Sequence, residues 1–321
     1  MLKNKTIAVT IPCYNEETQI TNVIETMPEF VDKIYIVDDK SPDATFEIST
    51  KLATNNPKIV VIQHTLNGGV GKAISTGYLA AIKDEIDITV VMAGDGQMDP
   101  LDLQSVIMPV VLGEVDYCKG NRFLYKDGIK KIPKTRFFGN FILSALTKIV
   151  SGYWHVSDSQ TGYTAISLIA LKGIAVEKIF PRYGCPNDIL VKLNIADMRV
   201  GEVPVNPLYG VGEQSKMRIP RIIGPMLRLL AKLFLERMLY KYIIRTGHPL
   251  VFAYGLSALS LLSSITLFVY CAIVAIINFG IPKPSLIMAG ITLILGIQFL
   301  LSAMEMDFSD NKDLNIRIRP S

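Results

Sequence analysis

The 321-residue chain is poor in cysteine, histidine and tryptophan, and each scarcity removes a class of function. Its four cysteines, Cys13, Cys118, Cys185 and Cys271, stand far apart with no paired spacing. That excludes a thiolate zinc site and fits a reducing compartment rather than a disulfide scaffold. The three histidines, His64, His155 and His248, show no metal-ligand spacing and read as ordinary side chains. No internal repeat and no low-complexity linker interrupts the chain. The segment from Met1 to Lys5 leads into a strand-like stretch with no apolar signal-peptide core, so the first 220 or so residues are expected to stay in the cytosol.

Charge is also sparse: 19% of residues are charged, 50% are hydrophobic, and the mean hydropathy is +0.34. An average soluble domain carries about 25% charge. The deficit is local. No charged residue occurs from Leu250 to Ile277, or from Ser285 to Met304, and each run exceeds the ~18 residues that mark a membrane-spanning helix. At ~1.5 Å per residue the first would be about 42 Å long, so against a hydrocarbon core of about 30 Å it must tilt or protrude. The link Asn278 to Pro284 is short and turn-like, and the pair reads as a transmembrane hairpin rather than two buried core helices. Arg218, Arg221, Arg228, Lys232, Arg237, Lys241 and Arg245 precede it and Lys312, Arg317 and Arg319 follow, whereas the link holds only Lys283. By the positive-inside rule both termini are cytoplasmic. The net charge of +4 gathers near the membrane and points to anionic headgroups rather than nucleic acid.

From Pro225 to Arg245, Arg228, Lys232, Lys241 and Arg245 recur at helical spacing with Leu229, Leu230, Leu233, Phe234, Met238 and Tyr242 between them. This predicts a basic amphipathic helix lying at the interface. An internal amphipathic core helix is the competing interpretation.

Upstream, β-branched runs at Ile7 to Ile11, Ile34 to Val37, Ile59 to Ile62 and Ile88 to Met92 alternate with helical candidates at Thr18 to Thr26, Asp43 to Ala53 and Lys72 to Lys83. This order predicts an α/β domain with a parallel sheet and ligands at the carboxyl ends of its strands. Three of those ends are polar: Pro12-Cys13-Tyr14-Asn15-Glu16-Glu17, Asp38-Asp39-Lys40-Ser41-Pro42-Asp43, and Gly94-Asp95-Gly96-Gln97-Met98-Asp99-Pro100. Asn15 and Ser41-Pro42 are also good helix starts, and Asp99-Pro100 is another. Capping does not explain Asp38 beside Asp39, which repel unless a donor or cation is near. A nucleobase imino group or a ribose hydroxyl would be such a donor. Asp95 and Gln97 sit one residue apart, so an extended backbone aims both oxygens one way, and hard oxygen ligands suit Mg²⁺ or Mn²⁺. Gly68-Gly69-Val70-Gly71-Lys72 is not a Walker loop, because Leu66 and Ala73 occupy the defining positions.

In order and spacing, these three motifs resemble family 2 glycosyltransferases, and most of all the polyprenyl-phosphate sugar synthases. The resemblance runs from Thr6 to about Arg221 and extends to the C-terminal hairpin. It implies a GT-A-like nucleotide-sugar-binding domain with a mostly parallel sheet, then an interfacial amphipathic helix and a two-helix transmembrane hairpin. The expected divisions are 1–220, 221–248, 249–305 and a cytosolic tail at 306–321. Carried over, Pro12, Tyr14, Glu16, Asp38 and Asp39 line the nucleoside pocket, Lys72 and Lys216 face the donor, and Asp95 with Gln97 holds the cation. Many relatives carry an acid where this chain has Ala93, leaving one carboxylate and one amide. Asn121-Arg122-Phe123 and Thr135-Arg136-Phe137 resemble the segments that grip the acceptor phosphate, for which the planar guanidinium is suited. Asp158-Ser159-Gln160-Thr161-Gly162-Tyr163 resembles the acceptor-side acidic motif, although the basic residue that usually follows is Thr164 here. Gly212-Glu213-Gln214-Ser215-Lys216 resembles the loop whose lysine reaches the diphosphate.

The implied function is an inverting transfer from a UDP- or GDP-sugar to a dolichyl or undecaprenyl phosphate, at the cytoplasmic face of a cell membrane or endoplasmic reticulum. A phosphate monoester, with a second pKa near ~6, needs no base; a sugar hydroxyl would need one, and Asp158 is the obvious candidate. A relative that glycosylates a hydroxyl of a glycan is therefore the alternative, with a silent nucleotide-sugar-binding scaffold behind it. Homo-oligomerisation is left open.

Overall fold

A computed structural model describes residues 1–125, 134–208, 219–278 and 280–318, with backbone only for 134–138, 219–222 and 278. It divides into two compact units, Met1–Phe234 with Asp313–Ser321, and Leu235–Lys312.

In the first unit, eight strands form one sheet: β1 (Ile7–Cys13), β2 (Lys33–Asp38), β3 (Ile59–Gln63), β4 (Ile88–Val91), β5 (Tyr117–Asn121), β6 (Thr164–Ser167), β7 (Val200–Pro204) and β8 (Asn315–Ile316). Their spatial order is β3-β2-β1-β4-β6-β5-β7-β8. Strands β1 to β4 pair in parallel, with Ile11 opposite Ile36 and Val9 opposite Val90. The sheet is mostly parallel, as expected, and the exception is β6, which runs antiparallel to both β4 and β5. Strand β6 is four residues long and does not follow a βα crossover, so no periodic signal marks it.

Helices α1 (Ile20–Glu25), α2 (Thr45–Asn55), α3 (Val70–Lys83), α4 (Leu103–Val111), α5 (Lys134–Ser151), α6 (Leu168–Gly173) and α7 (Cys185–Ile195) complete this unit. Alternation along the strands sends side chains to both faces. Ile7, Val9, Ile11, Ile34, Ile36 and Val90 pack against Val23, Val106 and Ile107 on one face. On the other, Val91, Tyr117 and Ile166 meet Ile74, Tyr78, Leu171 and Leu190. A sheet buried on both faces reads as continuous apolar runs, as β1 and β4 do. Truncating a fully buried residue such as Ile107 to alanine would cost about 2–5 kcal/mol. Helix α2 starts at Thr45, not at Ser41. Ser41 is spent elsewhere: its N–H donates to Asp38 and its Oγ accepts from the Asn15 N–H. Asp99 does cap the 3-10 turn at Pro100, accepting from the Leu101 N–H.

Helix α8 (Ile219–Arg237) continues as a π-helical stretch, Met238–Arg245. Its expected membrane face is wrong. Leu229, Leu230 and Leu233 are buried against Val150 and Val191, and Met238 and Tyr242 are also buried. The outward apolar residues are instead Leu235, Leu239, Tyr240, Ile243 and Ile244. Two of the basic residues expected to face headgroups are buried as well. Arg237 donates two hydrogen bonds of 2.8 Å to the Asp307 carboxylate, and Lys241 donates to Asn311 Oδ1 at 2.8 Å. Periodicity reports a two-faced helix but not which neighbour each face meets.

The second unit is dominated by α9 (Leu250–Asn278) and α10 (Lys283–Asp310), each long and apolar enough to cross a membrane. Only 11% and 17% of their most apolar windows are buried, so they are not core helices of the usual kind. Ser257 Oγ donates to the Gly296 carbonyl and Ser264 Oγ to the Ala289 carbonyl, each at 2.9 Å, tying the two helices together. After α10 the chain returns to the first unit, where β8 pairs in parallel with β7. Within the segment expected as a cytosolic tail, Asn315–Ile316 thus forms an edge strand of the sheet.

Candidate active site

The carboxyl ends of β1 and β2 carry two loops that are stitched together. Glu16 N–H donates to Thr45 Oγ1, Glu17 N–H to Asp43 Oδ2, and Ala44 N–H to the Glu17 carboxylate. Burial acts to raise the Asp43 carboxyl, but hydrogen bonds from Thr45 and Glu17 prevail and hold it below the usual carboxylate range. Asn15 and Lys40 both take left-handed backbone, at φ +59° and +61°. Each such non-glycine residue costs on the order of 1–3 kcal/mol, a cost that tends to collect at functional loops. Pro12 lies partly buried near the end of β1, Tyr14 is exposed, and Glu16 is half-buried.

Asp38 and Asp39 are both buried, and the chain itself supplies donors to each. Asp38 accepts from Gln63 Nε2 at 3.0 Å and from the Ser41 N–H. Asp39 accepts from the Gly68 and Gly69 N–H groups at 2.8 and 2.7 Å, and His64 Nδ1 lies 2.7 Å from it. His64 Nε2 in turn lies 2.9 Å from Thr76 Oγ1. His64 and the two glycine N–H groups thus hold the Asp39 carboxylate in place. Gly69 has φ +91°, and a Cβ there would meet the Pro181 carbonyl at 2.5 Å. Lys72 lies exposed in the first turn of α3.

At the end of β4, Asp95 Oδ1 accepts from the Gln97 N–H at 3.0 Å, closing a turn in which Gly96 has φ +71°. Gly94 approaches β1 so closely that a Cβ would lie 2.8 Å from Cys13 Sγ and 3.6 Å from the Glu16 side chain. Burial pushes the Cys13 thiol well up, and Glu16, Asp38, Asp95 and Asp43 push it further. Among the described residues no group of three His, Cys, Asp or Glu side chains is arranged to hold a metal.

The residues expected on the acceptor side gather at the end of β5. Asp158 is fully buried and accepts from the Arg122 backbone N–H at 3.1 Å, Nε at 2.7 Å and Nη2 at 2.8 Å. Behind it, Glu202 of β7 accepts from the Asp158 N–H, the Ser157 N–H and Asn121 Nδ2. Lys119 is also fully buried and donates to the Thr161 carbonyl at 3.0 Å. Burial pulls its pKa down to about 8, against the upward pull of Asp158 and Glu202. A cleft of about 190 Å³ is lined by Gln97, Met98, Arg122, the strip Gln160 to Tyr163, and Val205 to Leu208. Asp95 is sequence-adjacent to this wall, so metal-side and acceptor-side candidates meet. Arg136 lies in α5 with its side chain outside the described residues, and Lys216 with its loop lies outside them altogether. Sequence reasoning missed Lys119, Glu202 and His64; a lysine inside the β-pattern Tyr117 to Asn121 was the one available signal.

Residues 8–174 match the model of the glycosyl transferase family 2. A UDP-N-acetylglucosamine–dolichyl-phosphate N-acetylglucosaminyltransferase of Methanococcus voltae is 35% identical, over 65% of this chain and 88% of its own. An undecaprenyl-phosphate mannosyltransferase of Micrococcus luteus is 26% identical, over 64% and 85% respectively. Among solved structures, glucosyl-3-phosphoglycerate synthase of Mycobacterium tuberculosis, in complex with Mn²⁺, UDP and its product, superposes with a TM-score of 0.52 at 20% identity, covering 73% of this chain and 80% of that one. That likeness establishes the GT-A-like fold. The chain belongs to glycosyl transferase family 2.

Proposed function

We propose that this family 2 glycosyltransferase moves a sugar from a UDP- or GDP-linked donor to a polyprenyl phosphate, dolichyl or undecaprenyl, with inversion at the anomeric carbon. The observation that carries this is the cleft in which Gln97 and Arg122 share one wall system, while Asp158, the candidate base, already has both oxygens engaged by Arg122. A phosphate oxygen that is ionised near neutral pH attacks without a base. It bonds to the anomeric carbon as the bond to the donor diphosphate breaks, and the nucleoside diphosphate leaves with the electron pair. Arg122 and Arg136 would position the acceptor, Pro12, Tyr14, Glu16, Asp38 and Asp39 would shape the nucleoside pocket, and Lys72 and Lys216 would attend the diphosphate.

Asp95 and Gln97 fit a Mg²⁺ or Mn²⁺ ion held by one carboxylate and one amide, with diphosphate oxygens completing the shell; a divalent ion there would offset charge on the leaving group.

The apolar helices α9 and α10 support membrane anchoring. Both flanks of the hairpin, up to Phe234 and from Asp313, belong to the same compact unit, which supports a hairpin whose two ends emerge on one side. The arginine and lysine excess on that side supports the cytoplasm. Exposed Leu235, Leu239, Tyr240, Ile243 and Ile244, just ahead of the first span, would bed into the interfacial layer. The test is incubation of full-length protein with UDP- and GDP-sugars plus polyprenyl phosphate, starting with UDP-N-acetylglucosamine because of the Methanococcus relative. A glycolipid product is expected. Product formed only on a glycan hydroxyl would overturn the proposal.

A further inference from the structure

Strand β5 places one charged side chain where a strand of this kind buries apolar ones. Lys119 shares a face with Tyr117 and Asn121, and its surface is wholly buried. Burying an ammonium is costly unless it is paired and hydrogen-bonded, so a residue of this type there needs a compensating arrangement. The arrangement is specific. Its one direct hydrogen-bond acceptor among the described residues is the Thr161 carbonyl at 3.0 Å, and the Tyr117 ring centroid lies 5.9 Å away. The charged groups that bear on it are Asp158 ahead of β6, Glu202 on β7 and Arg122 just after β5, and the titratable Cys185 thiol at the start of α7, which burial keeps neutral, also faces it.

Thr161 belongs to the cleft wall, together with Gln160, Gly162 and Tyr163. Asp158, three residues earlier, is the residue that orients Arg122. Lys119 and Arg122 supply two positive charges, and Asp158 and Glu202 two negative ones, inside one buried network. Loss of the Lys119 charge would leave the carboxylates in excess and weaken the hydrogen bond to the Thr161 carbonyl, which is charge-assisted only while the amine is protonated.

We propose that Lys119 is a positioning residue for the acceptor half of the site, its ammonium holding the Gln160–Tyr163 wall and, through Asp158, the Arg122 guanidinium in the geometry that receives the acceptor phosphate. The inference rests on the polyprenyl-phosphate reading above. Because burial brings Lys119 to about 8, the ammonium is present at neutral pH and is lost as pH rises through that value. Use of the acceptor therefore declines on the alkaline side while donor binding does not.

The experiment measures kcat and both KM values for the full-length wild type, Lys119→Arg and Lys119→Met from pH 6.5 to about 9.5, with undecaprenyl phosphate in detergent as acceptor. Wild type should lose kcat/KM for the acceptor above about pH 8. Lys119→Met should raise the acceptor KM about tenfold or more, with donor KM nearly unchanged, and lose the alkaline limb. Lys119→Arg, charged throughout this range, should push that limb upward and restore much of the acceptor KM. A wild-type profile flat to the alkaline end, an unmoved limb in Lys119→Arg, or an unchanged acceptor KM in Lys119→Met each overturns the proposal. If Lys119→Met fails to fold, the wild type and the arginine variant decide alone. No glycolipid from the wild type with any donor would instead be failure of the functional reading, which takes this inference with it.

Discussion

Replacing Asp158 by asparagine separates a positioning carboxylate from a catalytic base, because the two roles leave opposite signatures. Asp158 has no exposed surface, and three Arg122 donors converge on it within 3.1 Å. Removing one partner of a fully buried ion pair costs about 3–5 kcal/mol. The Arg122 side chain keeps 22% of its surface, so water recovers part of this loss, and roughly 2–4 kcal/mol is expected. In a domain of this size that lowers the melting temperature by roughly 5–15 °C. The asparagine NH₂ must also face the Arg122 donors or rotate away, so the guanidinium loses its fixed orientation. Turnover should fall mainly through a raised acceptor KM, and the pH profile should keep its shape. Thermal melts, donor titration calorimetry and steady-state kinetics on the same preparation measure all three. An unchanged melting temperature, together with a loss of 10²-fold or more in kcat and disappearance of the acidic limb, would make Asp158 the base and a hydroxyl the acceptor.

Asp95→Asn should nearly abolish turnover while leaving the melt of the donor-free protein unchanged, and excess chelator should do the same to wild type; full activity in chelator would remove the metal role. His64→Ala strips the Asp39 carboxylate of one partner and should weaken donor binding about tenfold, read by calorimetry, with the acceptor KM untouched. Deleting residues 313–321 removes β8 from the edge of β7 and takes Asn315 from its place 2.5 Å from His155 Nδ1. A melting temperature lowered by several degrees is expected from a loss of about 1–3 kcal/mol, and an unmoved melt would show that the returning strand is dispensable.

The placement of the three polar loops at the ends of β1, β2 and β4 was legible in the sequence because it is written locally. Strands β1 to β4 are continuous β-branched runs, and each motif follows its strand directly, so position along the chain gives position in space. The acceptor half is assembled across distance. Arg122 meets Asp158 over 36 residues and Asn121 meets Glu202 over 81, and no local pattern encodes such a meeting. For the same reason β6 went unseen, and the paired acids Asp38 and Asp39 were given external donors when Gln63, His64, Gly68 and Gly69 already supply them. The helix before the hairpin failed differently. Its amphipathic period was real, but Leu229 and Leu233 cover the catalytic unit and Arg237 serves Asp307. The hydrophobic effect favours burial without specifying the partner.

The two halves differ most in charge. Around the β1, β2 and β4 ends, Glu16, Asp38, Asp43 and Asp95 all bear on Cys13. Like charges so gathered repel, and a donor diphosphate brought among them would repel further. On the other side Arg122, Asp158, Asn121 and Glu202 are joined by hydrogen bonds, and the Lys119 ammonium, held by the Thr161 carbonyl, adds the second positive charge that balances the two acids. A site divided this way can receive two phosphorylated substrates only if the acid-rich half first acquires positive charge, whereas the acceptor half is neutral before either arrives. Donor affinity should therefore depend steeply on divalent cation, and acceptor affinity, measured without donor, should not. If the two affinities fell together on chelation, the acids around Cys13 would be structural, and Asp95 would have no special claim on the cation.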